Sequence, residues 1–148
     1  MDKLKYVFLG FAAAFAAMFF FGAGLSYADK PAFCGSCHSM GHVYRTWQAS
    51  QHKQFSCGDC HLPQNSLFYK LYVKGENGMR HTYHETLRDY PVTIAFTPSA
   101  KVIADGNCLR CHASTVQQTH LSEPGQSCTT CHRGMVHGQG LEEGVSRR

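Results

Sequence analysis

The sequence predicts a mainly α-helical chain with much irregular loop: one N-terminal transmembrane helix, then a small domain whose core is not made of its own side chains. Three observations predict it. Residues Tyr6 to Leu25 are an uncharged, largely apolar run of 20. All eight cysteines fall in four copies of Cys-x-x-Cys-His, at Cys34–His38, Cys57–His61, Cys108–His112 and Cys128–His132. The chain has only 148 residues in all, and the part after about Pro31 is rich in glycine and polar residues, too short to bury a large core.

The apolar run comes first. As a helix rising about 1.5 Å per residue it matches a hydrocarbon layer of roughly 30 Å, so it can cross a membrane once. Lys3 and Lys5 precede it and, by the positive-inside tendency, hold the N-terminus in the cytoplasm and send the rest to the other side. The competing reading is a cleaved signal peptide, because Ser26-Tyr27-Ala28 resembles a small-x-small cleavage site. The apolar stretch exceeds the roughly 7–15 residues usual for such a signal. The expectation is therefore an uncleaved anchor over residues 1–28 and an exported domain over residues 29–148.

The motifs specify the cofactor. Two thiols spaced by two residues can add to the two vinyl groups of one porphyrin, and the adjacent histidine is then placed to bind the iron. Zinc or disulfides are the bland alternative. Neither accounts for a histidine directly after the second cysteine at every motif, with no cysteine left over. Four covalently bound heme c groups are expected, on Cys34 and Cys37, Cys57 and Cys60, Cys108 and Cys111, and Cys128 and Cys131. The hemes then form the core, with short helices at each attachment site. Their propionates largely offset the formal charge of +4, so the basic balance is no argument for nucleic acid.

The motifs fall into two pairs, Cys34 and Cys57 lying 23 positions apart and Cys108 and Cys128 lying 20 apart, which reads as a duplicated diheme unit. Unit one covers 29–61, a middle segment 62–107, unit two 108–137, and a polar tail 138–148. The middle segment carries Leu67, Leu71, Met79, Tyr83 and Leu87 at mostly helical intervals, with Tyr69 and Tyr72 nearby. Gly75 and Gly78 weaken the helical pattern. The stripe would pack on a heme or, with Lys70 and Lys74, lie at the membrane interface. Pro91 to Pro98 reads as an apolar loop that covers a heme or touches lipid or a partner.

Each low-spin heme needs a second axial ligand, usually His or Met. Six histidines lie outside the motifs: His42, His52, His81, His84, His120 and His137. His52 and His120 sit just before the second motif of each unit, too near in sequence to serve that same heme, so exchange between units is the simplest expectation. His61 and His120 would ligate heme 2, His112 and His137 heme 3, and His132 and His52 heme 4. The first motif differs. It reads CGSCHSM, and Met40 stands where a thioether could approach its iron, or merely pack on the porphyrin.

CGSCHSM, the single anchor, the paired spacing and the closing CTTCHRGMVH resemble the NapC/NirT family of membrane-anchored tetraheme quinol dehydrogenases over nearly the whole chain, and within it the short, nitrite-reductase-associated NrfH branch. The resemblance implies that Met40 replaces His38 as the ligand of heme 1, beside a quinol site at the membrane surface. It also implies a lysine and an acidic residue on the helix after motif two. Lys74 matches the lysine, but the acidic position holds His81, which is expected to accept a quinol proton, cap heme 1, or do both. Some members of that branch leave the distal face of heme 2 to a lysine of the partner; His120 would make this chain self-sufficient there.

Quinol carries two electrons and two protons, whereas a heme takes one electron and no proton, so such an enzyme needs a base beside its first heme. Histidine suits that role. The expected function is oxidation of membrane quinol, menaquinol if His/His ligation keeps the potentials low. Protons would leave through Lys74, His81 or Glu76, and electrons would pass to a periplasmic multiheme reductase such as the catalytic subunit of cytochrome c nitrite reductase. The expected location is a bacterial inner membrane, with lipid and the quinol pool as further partners. Two rival classes remain at this stage: a soluble tetraheme carrier, if the signal is cleaved, and a small-substrate reductase working at an open heme 1.

Overall fold

The computed structural model describes residues 2–91, 94–123 and 125–138. The polar tail from residue 139 onward lies outside the described residues, as do residues 92 and 93 of the proline-bracketed loop. Among the described residues the chain is helical, without strands, as expected.

Helix α1 runs from Asp2 to Tyr27, and its Lys3–Tyr27 stretch is long and apolar enough to cross a membrane, with none of it buried against the rest of the chain. Four shorter segments follow: α2 (Pro31–Cys34), α3 (Gly41–Ala49), α4 (Cys57–His61) and, after a break, the long α5 (Leu67–Leu87). Pro31 sits in the first turn of α2, where its missing N–H costs nothing. Ser56 starts α4, with Asp59 Oδ2 accepting from Ser56 N at 2.8 Å and Oγ at 2.9 Å. The Ser66 hydroxyl accepts from Tyr69 N at the start of α5, and Arg88 ends it with a left-handed φ of 55°. Gly75 and Gly78 do not break α5; each costs about 1 kcal/mol of helix propensity, which 21 residues can absorb.

Helix α6 (Pro98–Val116) departs from expectation, because the third motif lies inside a 19-residue helix that starts well before Cys108. Thr97 caps it, accepting from Ala100 N, and Pro98 opens it. A 3₁₀ turn (His120–Ser122), α7 (Cys128–Cys131) and α8 (Gly134–His137) complete the described chain.

Helix α6 is the spine. Asn107, one of the few buried side chains, donates from Nδ2 to Cys60 O at 3.0 Å and to Leu62 O at 2.9 Å, tying α6 to the end of α4. Arg110 donates to Asp59 O at 3.1 Å. On the other side Asp105 accepts from Thr129 N at 3.1 Å, and Lys101 donates to the Thr130 hydroxyl at 3.0 Å, tying α6 to α7. Among the described residues the buried apolar side chains are Leu62, Pro63, Val73 and Ala104. A polypeptide with so small a core of its own is organised around what its cysteines carry.

Candidate functional site

The four motifs sit differently on the helices. Cys34 closes α2 and the rest of motif one is a turn; motif two forms α4; motif three lies within α6; motif four forms α7. Their cysteines nevertheless approach one another in chain order. Cys34 and Cys57 are hydrogen-bonded, which holds the Cys34 thiol down to about 7 and pushes that of Cys57 up. Cys60 is raised by burial first, with Asp59 and then Cys111 adding to it. Cys108 is pushed up to about 11 by burial, then by Cys128 and Cys60. The attachment sites thus run one beside two, two beside three, and three beside four. All eight cysteines are free of disulfides. Among the described residues no three His, Cys, Asp or Glu side chains gather as a metal cage.

Two pairs of histidine rings face each other across the fold. His61 and His137 have centroids 6.0 Å apart, and His52 and His112 are 6.3 Å apart. Two imidazoles on one metal, each at a bond length of about 2 Å, also bring their centroids to roughly 6 Å, so both pairs fit a shared heme iron. His137 Nδ1 donates to Val43 O at 3.3 Å, which leaves its Nε2 lone pair free. Burial, then the charges of His137 and His81, pushes His61 down to about 4, which favours its neutral ring. Burial also lowers His137. His52 Nδ1 is buried without a hydrogen-bond partner, a polar atom that the polypeptide alone leaves unsatisfied.

These ring contacts differ from the partners that spacing suggested. His137 lies against His61 rather than His112, because α8 packs on α3 and Val43 receives its ring. His52 lies against His112 rather than His132. His120, expected opposite His61, begins the 3₁₀ turn beside α6, and the His61 ring also has Phe96 at 5.3 Å. His84 is accounted for by an ion pair with Asp89 at 2.6 Å where α5 ends.

Helix α5 links the membrane helix to the first motif. Lys74 Nζ donates to Leu25 O at 2.6 Å and to Asp29 Oδ1 at 2.7 Å, both at the end of α1. Farther along, Glu85 accepts from His38 N at 2.6 Å, from Ser39 N at 3.3 Å and from the Ser39 hydroxyl at 2.5 Å. The Ser39 hydroxyl, followed by those backbone N–H groups, holds the Glu85 carboxyl below its usual value. At about 100° per residue, Lys74, His81 and Glu85 fall within about 20° of one face. His81 therefore sits between the two anchors. Burial, then the charges of Arg80 and His84, lowers its pKa.

Glu76 is not on that face. It lies about 200° round the helix from Lys74 and is exposed, so the carboxylates that meet this face are Asp29 and Glu85, neither of them marked by any local motif. The 7- and 4-residue steps from Lys74 to His81 to Glu85 were the available signal. The opposite face carries Phe68, Tyr72, Met79, Tyr83 and Leu87, with Phe68 84% and Met79 74% exposed.

A family model described as the N-terminal region of the NapC/NirT cytochrome c family matches residues 1–142. The chain belongs to that family. Membership makes it a c-type cytochrome with covalently bound heme, as the motifs require. Among its relatives, the cytochrome c nitrite reductase subunit NrfH of Nitratidesulfovibrio vulgaris Hildenborough is 36% identical over 135 residues, 91% of this chain and 84% of the relative. The cytochrome c-type protein NrfH of Wolinella succinogenes is 33% identical over 129 residues, 78% of this chain and 73% of the relative. The family fold is also seen in a crystal structure of a cytochrome c nitrite reductase NrfHA complex bound to the inhibitor HQNO. There the TM-score is 0.79 at 32% identity, covering 95% of this chain and 99% of that one.

Proposed function

We propose that this family member is anchored in a bacterial inner membrane by α1 with its N-terminus in the cytoplasm. There it oxidises membrane quinol, preferably menaquinol, and delivers the electrons to a periplasmic cytochrome c nitrite reductase. The observation that carries the reading is the double attachment of α5, by Lys74 to the end of α1 and by Glu85 to the first motif. A quinol head group leaving the bilayer there meets Lys74 and His81 before anything else.

Four hemes, one per motif, supply one-electron iron couples when bound. The chain's own residues do the rest. Lys74 donates a hydrogen bond to a quinol oxygen, and His81, whose lowered pKa keeps it neutral, takes a proton. Two protons leave on the exported side, and the two electrons leave singly. Met40 ligates the first heme in place of His38. His61 and His137 hold the second, and His52 and His112 the third. His132 meets no imidazole ring among the described residues, so the fourth heme presents the face that a reductase side chain can complete. The chain-order approach of the cysteines supports placing that heme farthest from the membrane. The exposed apolar face of α5, with its tyrosines and Phe68, suits contact with the bilayer surface beside α1.

NrfH relatives named for nitrite reductase, and the likeness to an NrfHA complex that binds HQNO, support both the donor and the acceptor. The test is reduction in proteoliposomes. Lys74→Ala and His81→Ala should abolish reduction by a naphthoquinol while leaving reduction by dithionite intact. Unimpaired quinol reduction in both variants would reject the site.

A further inference from the structure

Asp29 has no assigned part in any of this, yet its position is specific. It lies two residues beyond α1, and its Oδ1 accepts from Lys74 Nζ at 2.7 Å. The same oxygen is 3.7 Å from where a side chain would begin at Gly58 of the second motif. Its charge also reaches Cys34 of the first. Asp29 thus stands between the Lys74 ammonium and the first two attachment loops.

The ammonium has three N–H donors. Leu25 O and Asp29 Oδ1 take two of them, at 2.6 and 2.7 Å. The third is left for another acceptor. Lys74 is only 17% exposed, and a long flexible side chain so placed needs a compensating charge to stay ionised and in one orientation. Among the described residues no other carboxylate pairs with Lys74: Glu76 is on the far face of α5, and Glu85 is occupied by His38 and Ser39.

We propose that Asp29 is a positioning residue of the quinol site, its carboxylate holding the Lys74 ammonium at the end of α1 so that the third N–H faces the quinol oxygen. This rests on the quinol-oxidising reading above. Asp29 itself need not touch quinol. It acts on binding, through Lys74, and its loss is felt in KM more than in kcat.

The experiment uses the full heme-loaded chain in phospholipid vesicles, with 2,3-dimethyl-1,4-naphthoquinol as donor and HQNO as a binding probe. Asp29→Asn should raise both the KM for the naphthoquinol and the Kd for HQNO about tenfold, the size expected of one charge-assisted hydrogen bond. Asp29→Glu should restore both to within about threefold of the starting protein. Heme content and dithionite reduction should be the same in all. An unchanged KM and Kd in Asp29→Asn, or a Glu variant no better than the Asn variant, overturns the proposal. If Asp29→Asn matures without its full heme content, Asp29→Glu decides alone: near-normal HQNO binding supports the proposal, and binding as weak as in Lys74→Ala overturns it. Lys74→Ala separates the two readings. Normal quinol reduction and HQNO binding in that variant remove the quinol site itself, whereas loss in Lys74→Ala beside a normal Asp29→Asn removes only the role of Asp29.

Discussion

The ring of His137 stands 6.0 Å from that of His61 while its Nδ1–H is donated to the Val43 carbonyl at 3.3 Å. One residue thereby connects α8, α3 and the second motif. The carbonyl fixes the tautomer, and the tautomer leaves the Nε2 lone pair open. The backbone of α3 thus orients a ring 94 residues away in sequence.

Paired ligation predicts which hemes change spin. His137→Ala and His52→Ala should each convert one low-spin heme to high spin, and the double variant should convert two. His120→Ala should leave the low-spin count of the isolated chain unaltered. Electron paramagnetic resonance of the oxidised protein counts them. One converted heme in His120→Ala would instead favour the pairing expected from sequence spacing, in which His120 serves the second heme.

Asn107 predicts a stability effect. Its two donors satisfy Cys60 O and Leu62 O at the end of α4, and it is buried. Asn107→Leu keeps the volume and strands both carbonyls, at a cost of about 2 kcal/mol. Asn107→Asp, which sets a carboxylate against two carbonyl oxygens, should cost more. Denaturant unfolding of the heme-loaded chain followed by circular dichroism measures both, and equal stability of the three proteins would show that the link between α4 and α6 carries no weight.

What was legible beforehand divides along physical lines. The cofactor was legible because covalent attachment demands a fixed local spacing, and α1 was legible because a bilayer demands a fixed run of apolar residues. Helix α5 showed in its apolar stripe despite Gly75 and Gly78. The first half of α6 did not, because its start signal, Thr97 followed by Pro98, also fits the end of a proline-bracketed loop and lies ten residues before the motif. Which histidine rings meet was illegible for a different reason: it depends on where α8 packs, and distance along the chain says nothing of that. Asp29 and Glu85 look like ordinary surface acids until α5 is folded back onto α1 and the first motif.

Glu85 predicts a loss that spares the membrane end. Glu85→Gln keeps one acceptor oxygen but loses the charge that gathers two backbone N–H groups and the Ser39 hydroxyl. Because the site is only partly buried, the expected destabilisation is modest, about 1 kcal/mol. Reduction by quinol should slow, since His81 loses its fixed height above the first motif, while HQNO binding through Lys74 stays near normal. Thermal melts and HQNO titration together test this. A variant that loses HQNO binding as fully as Lys74→Ala would mean that the two ends of α5 are not independent anchors.

The glycine that ends α2 and two glycines on α5 should respond in opposite directions to one added methyl. A Cβ at Gly35 would lie 2.6 Å from Tyr44 Cγ and 2.9 Å from its Cβ, so Gly35→Ala must push α3 away from the first motif. The Tyr44 ring is stacked on Trp47 at 5.6 Å and has little freedom to yield. Gly75 and Gly78 meet nothing within 4 Å, and both lie inside a regular helix. Alanine at either should therefore raise stability by about 0.5–1 kcal/mol, through helix propensity alone. Heme content and thermal midpoints of the three single variants check this. Gly35→Ala should lose stability and heme at the first motif, and an alanine at Gly75 or Gly78 that destabilises the chain would place a lipid or partner surface in contact with that glycine.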